Sequence, residues 1–144
     1  MSSEIPLPLT FEIILKAGID QAWEAWTTDS GIRSFFAPDC RIGSKVGEVY
    51  EIYFSPAEEE GMRGAEGTKI LAIEPKEFLS FTWNNPPTLP EIRWQYAVVS
   101  LYFESINKKQ TRLRLIHTGW GPGKSWQKAR EYFNHAWGQV VLPR

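Results

Sequence analysis

The stretch EYFNHAWGQV (131–140) sets Tyr132, Phe133, His135 and Trp137 within two helical turns near the end of the sequence. Read with its flanks, GPGKSWQKAREYFNHAWGQVVL (121–142) carries an apolar strip at Trp126, Ala129, Phe133, Trp137 and Val140, spaced by 3, 4, 4 and 3 positions. That spacing makes one continuous helix face, expected from about Ser125 to Leu142, with Pro143 as its stop. Rings of this size must be covered, and the segments that precede them decide by what.

Those segments read mostly as strands. PLTFEIILKAG (8–18) alternates around Phe11, Ile13 and Leu15. IDQAWEAWTTDSGIRSFF (19–36) then has helical spacing, with Ile19, Ala22, Trp23 and Trp26 on one face. Asp20 is the expected N-cap of this helix, and Thr28 or Asp29 that of a second short one. From there the period is two. GEVYEIYF (47–54), TKILAIEP (68–75), EFLSFTW (77–83), WQYAVVSLYFESI (94–106) and QTRLRLIHTGW (110–120) alternate, and CRIG (40–43) adds a brief further strand.

Strand, two short helices, meandering strands and a long helix predict an α+β domain with an antiparallel sheet. A sheet this wide curls around the last helix. Inward parity then groups Leu79, Phe81 and Trp83, Val99, Leu101 and Phe103, and Leu113, Leu115 and His117. Tyr50, Ile52 and Phe54 form the inward set on their strand, because the other parity buries Glu51.

Composition sets the remaining bounds. The 144 residues are expected to form one domain, and a formal charge of −1 gives no electrostatic footprint for nucleic acid. No apolar run approaches the roughly 20 residues that cross a bilayer. The start MSSEIPLPLTFEI lacks a basic region followed by an apolar core. With Cys40 the single cysteine, the expectation is a reduced, cytoplasmic protein. The 7 Trp, 5 Tyr and 8 Phe imply either a very aromatic core or a cavity lined with rings.

Taken in order, AWTTDSGIRSFFAPDCRI (25–42), YEIYF (50–54), GAEGTKILAIEP (64–75), FLSFTWNNPP (78–87), HTGWG (117–121) and WQKAREYFNHAW (126–137) resemble the heat-shock protein 90 ATPase activator homologue family. That family, named for the activator's C-terminal domain, belongs to the START-like or SRPBCC superfamily. The resemblance covers about residues 8 to 142 and differs at Phe35, where many relatives have tryptophan. It implies a helix-grip fold: a curved antiparallel sheet holds a long C-terminal helix, with a pocket between them. The eukaryotic activator has a further N-terminal domain that engages the chaperone. The expectation is that the 144 residues leave no room for one, so that a chaperone contact ranks below ligand binding.

For a pocket so placed, inward parity supplies Tyr50, Phe54, Phe81 and Trp83, with Leu101, Phe103, Leu115 and His117 from the later strands. The helix adds Trp126, Phe133 and Trp137, and among all of these Trp83, Trp126 and Trp137 carry the most weight. The same aromatic stripe is equally read as plain core. His117 reads as a group orienting a ligand, as a general base, or as a packed ring bonded to backbone, with no carboxylate near it in sequence to fix its tautomer. His135 falls about 160° from the apolar strip and is expected at the surface. Two distant histidines and one cysteine give no zinc spacing, so neither metal nor cofactor is expected. Cys40 reads as a buried, inert thiol.

GWGPG (119–123) precedes a helix but lacks the βαβ setting of a dinucleotide loop and reads as a turn. GMRGAEG (61–67) reads as a hairpin loop able to border a cavity mouth, NNPPTLPEIR (84–93) as a stiff connection, and Arg33 as solvent-facing. No catalytic residue is assigned. The function expected is binding of a hydrophobic small molecule, with a second copy of the chain as a further partner and neither nucleic acid nor membrane. The alternatives are an enzyme of the polyketide cyclase or hydrolase kind using the same pocket, and a chaperone-related interaction domain.

Overall fold

A computed structural model describes residues 7–141, with side chains described through residue 138. The first strand, β1 (Leu9–Leu15), turns Thr10, Glu12 and Ile14 outward, as its alternation requires. α1 (Ile19–Thr27) buries Ala22 and Trp26. Its N-cap is Gly18, with no side-chain cap, which corrects the expectation for Asp20. A cap must be the last non-helical residue, and Asp20 already lies inside the first turn. There its carboxylate pairs with Lys76 Nζ at 2.7 Å. α2 (Asp29–Phe35) is capped by Thr28, whose hydroxyl accepts from the Gly31 amide at 3.0 Å.

Seven further strands follow: β2 (Asp39–Ile42), β3 (Tyr50–Tyr53), β4 (Gly64–Ala65), β5 (Ile70–Glu74), β6 (Phe78–Trp83), β7 (Ala97–Asn107) and β8 (Gln110–Thr118). They build an antiparallel five-stranded sheet, β1-β8-β7-β6-β5, and a three-stranded one, β2-β3-β4. The expected sheet is therefore interrupted rather than continuous. The two parts meet at one bridge, Val49 with Lys69, supported by Tyr50 N donating to Thr68 O and Ile70 N to Glu48 O, both at 2.9 Å. β4 and β5 follow one path broken at Gly67, whose φ of 69° no strand residue adopts. β4 lies inside GMRGAEG, where the sequence suggested only a loop.

The inward parities match the sequence reading. Leu79, Phe81, Trp83, Val99, Leu101, Phe103, Leu113, Leu115, His117, Tyr50 and Ile52 are all buried. Register keeps them on one face, with Phe81 opposite Val99, Val99 opposite His117 and Leu101 opposite Leu115. Phe54 departs from the pattern, because it lies one residue past the end of β3 and is 44 % exposed.

α3 (Lys124–His135) crosses the concave face and buries Trp126, Ala129 and Phe133. It passes directly into a π-helical turn, Ala136–Val141, which carries the buried Trp137. The side chain of Val140 and the expected end at Leu142 lie outside the described residues. α3 does not have the concave face to itself. α1 and α2 fill the other half, where Tyr50 Oη donates to Trp26 O at 2.6 Å and Trp23 packs edge-on against Phe103. The two helical halves touch where Phe36 meets Trp137, ring centroids 5.7 Å apart.

Candidate functional site

β6 delivers Trp83 at its last position, and the chain continues as Asn84, Asn85, Pro86 and Pro87. Two prolines in succession offer no backbone donors, so this stretch cannot continue in the ladder and peels away. Asn85 anchors the excursion. Its Nδ2 donates to Ile92 O at 2.9 Å and to Gln95 O at 2.8 Å, so the connection folds back beneath its own start.

Arg93 lies in that returning strand of chain and is 5 % exposed. Its guanidinium joins three segments. Nε donates to Gly61 O at 3.1 Å, Nη2 to Gly64 O at 2.7 Å, and Nη1 to Asn85 O. The charge is balanced by Glu66, itself 7 % exposed, with Nη2 to Oε2 at 3.1 Å. Glu66 also accepts from the Gly61 amide at 2.8 Å and from the Arg63 amide at 3.0 Å. Burial works to lower the Arg93 pKa and Glu66 opposes it. A buried pair with both carboxylate oxygens engaged is a clamp, and removing either member strands the other charge. It fixes the loop 61–67 against the connection 84–95.

Between these loops and the end of α3 a cavity of about 400 Å³ opens. Its apolar wall is Phe36, Phe54, Met62, Trp83, Phe133 and Trp137. Arg63, Arg93, Asn84, Asn85, Ser55 and His135 supply the polar groups, and among the described residues no aspartate or glutamate lines it. Phe54, Met62 and Tyr132, 44, 48 and 55 % exposed, mark the mouth. A volume of this size suits a drug-sized molecule, for which roughly 300–1,000 Å³ is usual.

The residues singled out from sequence separate into two groups. Phe54, Trp83, Phe133 and Trp137 border the cavity. Tyr50, Phe81, Leu101, Phe103, Leu115, His117 and Trp126 do not; they are core. Tyr50 stacks on Phe81 at 4.1 Å, and Trp126 donates its indole N–H to Gln95 Oε1 at 3.3 Å. His135 is exposed as expected, yet it belongs to the lining. Arg63, Arg93 and the two asparagines were not anticipated. Their only trace in sequence is polarity inside segments otherwise read as loop and connection.

His117 lies one layer behind the cavity wall. The Trp137 indole donates to its Nδ1 at 3.0 Å, which sets the tautomer with the proton on Nε2. Its ring packs 4.2 Å from Trp120 and 4.9 Å from Phe133. Burial depresses its pKa to about 3, so it is neutral at ordinary pH. No carboxylate fixes the tautomer; the indole does, and the bond holds Trp137 against the cavity. Asn84 Nδ2 and Asn85 Oδ1, both in cavity-lining residues, are buried without a partner among the described residues.

Elsewhere the chemistry is quiet. Arg33 pairs with Asp39 at 3.0 Å on the surface, away from the cavity. Burial pushes the Cys40 thiol up to about 11, so little of it is thiolate at neutral pH. Among the described residues no cluster of three His, Cys, Asp or Glu side chains stands ready for a metal, and no helix is long and apolar enough to cross a membrane.

A family model described as Activator of Hsp90 ATPase homolog 1-like protein matches residues 16–141. No curated protein matches the chain. Among solved structures, protein MLL2253 from Mesorhizobium loti is 22 % identical over 92 % of this chain and 89 % of its own, with a TM-score of 0.72. PFC0360w from Plasmodium falciparum, described as an HSP90 activator, is 16 % identical over 96 % of this chain and 92 % of its own, also with a TM-score of 0.72. A structure described as the Aha1 dimer from Colwellia psychrerythraea is 18 % identical over 96 % of this chain and 99 % of its own, with a TM-score of 0.58. At these identities the structures speak for the fold.

Proposed function

The chain belongs to the Activator of Hsp90 ATPase homolog 1-like family of the START-like superfamily, and on that premise we propose that it binds a hydrophobic small molecule between its sheet and its C-terminal helix. The START-like fold can in general enclose such a ligand. One observation carries the reading for this chain: a cavity of about 400 Å³ has Phe36, Trp83, Phe133 and Trp137 in its wall, and its asparagines hold buried polar atoms without partners. An apolar wall with a few fixed polar groups is how such ligands are held and oriented. Residues 1–144 act as one ligand-binding domain, in a cytoplasmic setting that suits the single buried thiol.

Titration with phenylnaphthylamine, a neutral apolar fluorophore, tests this. Saturable binding at one site per chain is expected, with quenching of tryptophan emission because Trp83 and Trp137 border the space. Mass spectrometry of small molecules released from the native protein would then identify the occupant. The absence of saturable binding for the fluorophore, together with no released molecule, would discard the proposal.

Self-association belongs to the same reading, because one structural relative is described as a dimer. Sedimentation velocity that finds only monomer across a wide concentration range would remove that part.

A further inference from the structure

We infer that the molecule held in this cavity is an anionic amphiphile, its apolar body against Phe36, Trp83 and Trp137 and its acidic head group against Arg63. The inference rests on the ligand-binding reading above and adds the charge class of the ligand.

The cavity wall is one-sided in charge. Among the described residues it has two guanidinium groups, Arg63 and Arg93, and no carboxylate residue. Arg93 is already compensated by Glu66 and held by three backbone carbonyls, so it contributes no unbalanced charge. Arg63 differs. Its Nε donates to Glu58 O at 3.1 Å, and no ion pair engages it among the described residues. It is half-buried beside Phe54 and Met62, at the open end of an aromatic wall. The acidic run Glu58, Glu59 and Glu60 lies a few residues away, but none of the three lines the cavity. A partly desolvated guanidinium without a counter-charge is a ready partner for a carboxylate or sulfonate, which it can engage through two parallel N–H donors.

A second observation agrees. Asn84 is 3 % exposed and its Nδ2 donor has no partner among the described residues, while the residue lines the same wall. An N–H in want of an acceptor is relieved by an anion's oxygen. Asn85 Oδ1 is the converse, an unpartnered acceptor. A hydroxyl or amide N–H on the ligand would satisfy it, so the molecule has polarity beyond its acid group. A cationic amphiphile fits poorly, since it would set its charge beside Arg63 with no carboxylate among the described residues of the wall to receive it.

Anilinonaphthalene sulfonate and phenylnaphthylamine share one aromatic skeleton and differ by the sulfonate, so the pair isolates the charge. At low salt the sulfonate should bind about fivefold more tightly than its neutral twin, and each should displace the other. Arg63→Gln should abolish the difference by weakening the sulfonate at least fivefold more than the neutral twin, whatever smaller change the neutral twin itself shows. Arg63→Lys should keep most of it, and raised salt should shrink it. Thermal unfolding of both variants guards against a folding defect. Equal affinities for the twins in the native protein, or a preference for the sulfonate that Arg63→Gln leaves intact, would overturn the anionic head group while leaving ligand binding standing. If neither twin binds saturably, the ligand-binding reading falls and this inference with it.

Discussion

At position 117 a histidine sits where periodicity calls for an apolar inward residue, and its consequences are thermodynamic. Burial sets its folded pKa near 3, against 6.5 when solvated. Above that solvated value both states are neutral and His117 contributes no pH dependence. Below it the unfolded chain takes up a proton that the folded chain refuses, so stability is lost as pH falls from about 6.5 toward about 3. By about pH 5 this single group should cost roughly 2 kcal/mol. Denaturant titrations at neutral and mildly acidic pH should therefore show a shallower pH dependence in His117→Leu than in the native protein; equal slopes would mean the folded protein admits the proton. Its partner Trp137 is 1 % exposed, yet it borders the cavity on one side. Trp137→Ala should cost about 3 kcal/mol, the low end of the range for a large buried ring, because that side has no packing to lose. A loss near the top of that range, about 5 kcal/mol, would show the ring packed all round. The sequence places Trp137 at a cavity and offers a packed ring for His117, but not the bond between the two. Nothing local to HTGWG announces that an indole twenty positions on will choose the histidine's tautomer.

Among the elements, the two loops that frame the cavity depend on one ion pair. Arg93→Met would leave the Glu66 carboxylate buried without its counter-charge and should cost about 3–5 kcal/mol. Glu66→Gln keeps an oxygen for one of the Gly61 and Arg63 amides and should cost less, about 1–3 kcal/mol. Both variants should speed proteolytic cutting within 61–67, since the arginine's bonds to Gly61 O and Gly64 O hold that loop in place. The reverse order of stabilities would show that the backbone bonds to Glu66, rather than the charge pair, are the clamp. The contrast with the strands is instructive. Leu79, Phe81 and Trp83 could be assigned a face from sequence because a period of two is a local signal. The interruption between β3 and β5 could not, because it depends on Gly67 turning the chain and on which distant amide reaches Thr68 O. Likewise the sequence places the cap two residues late, at Asp20 instead of Gly18: it offers a good capping side chain, but only the backbone decides where the helix begins.

In the whole molecule, the abundance of rings was evident from composition, while their division between packing and lining was not. That division follows from α1 and α2 sharing the concave face with α3. They bring Trp26 over Tyr50 and thereby seal Tyr50 and Phe81 into core, and the aromatic cavity is left where α2, the last turns of α3 and the two loops fail to close. The walls of that space come from segments far apart in sequence, so filling it should register on all of them at once. A neutral fluorophore at about a hundred times its Kd should raise stability by roughly 2.7 kcal/mol if it binds only the folded state. Followed by hydrogen exchange, the same occupancy should slow the amides of residues 61–65 together with those of 133–137. The centre of β7 and β8, already flanked by strands on both sides and carrying the buried His117 and Leu115, should change least in relative terms. Slowing confined to one wall, or to the convex-face residues around Phe78 and Tyr102, would mean that the fluorophore sits on the surface. Only coincident slowing of both walls is the signature of a molecule held between them.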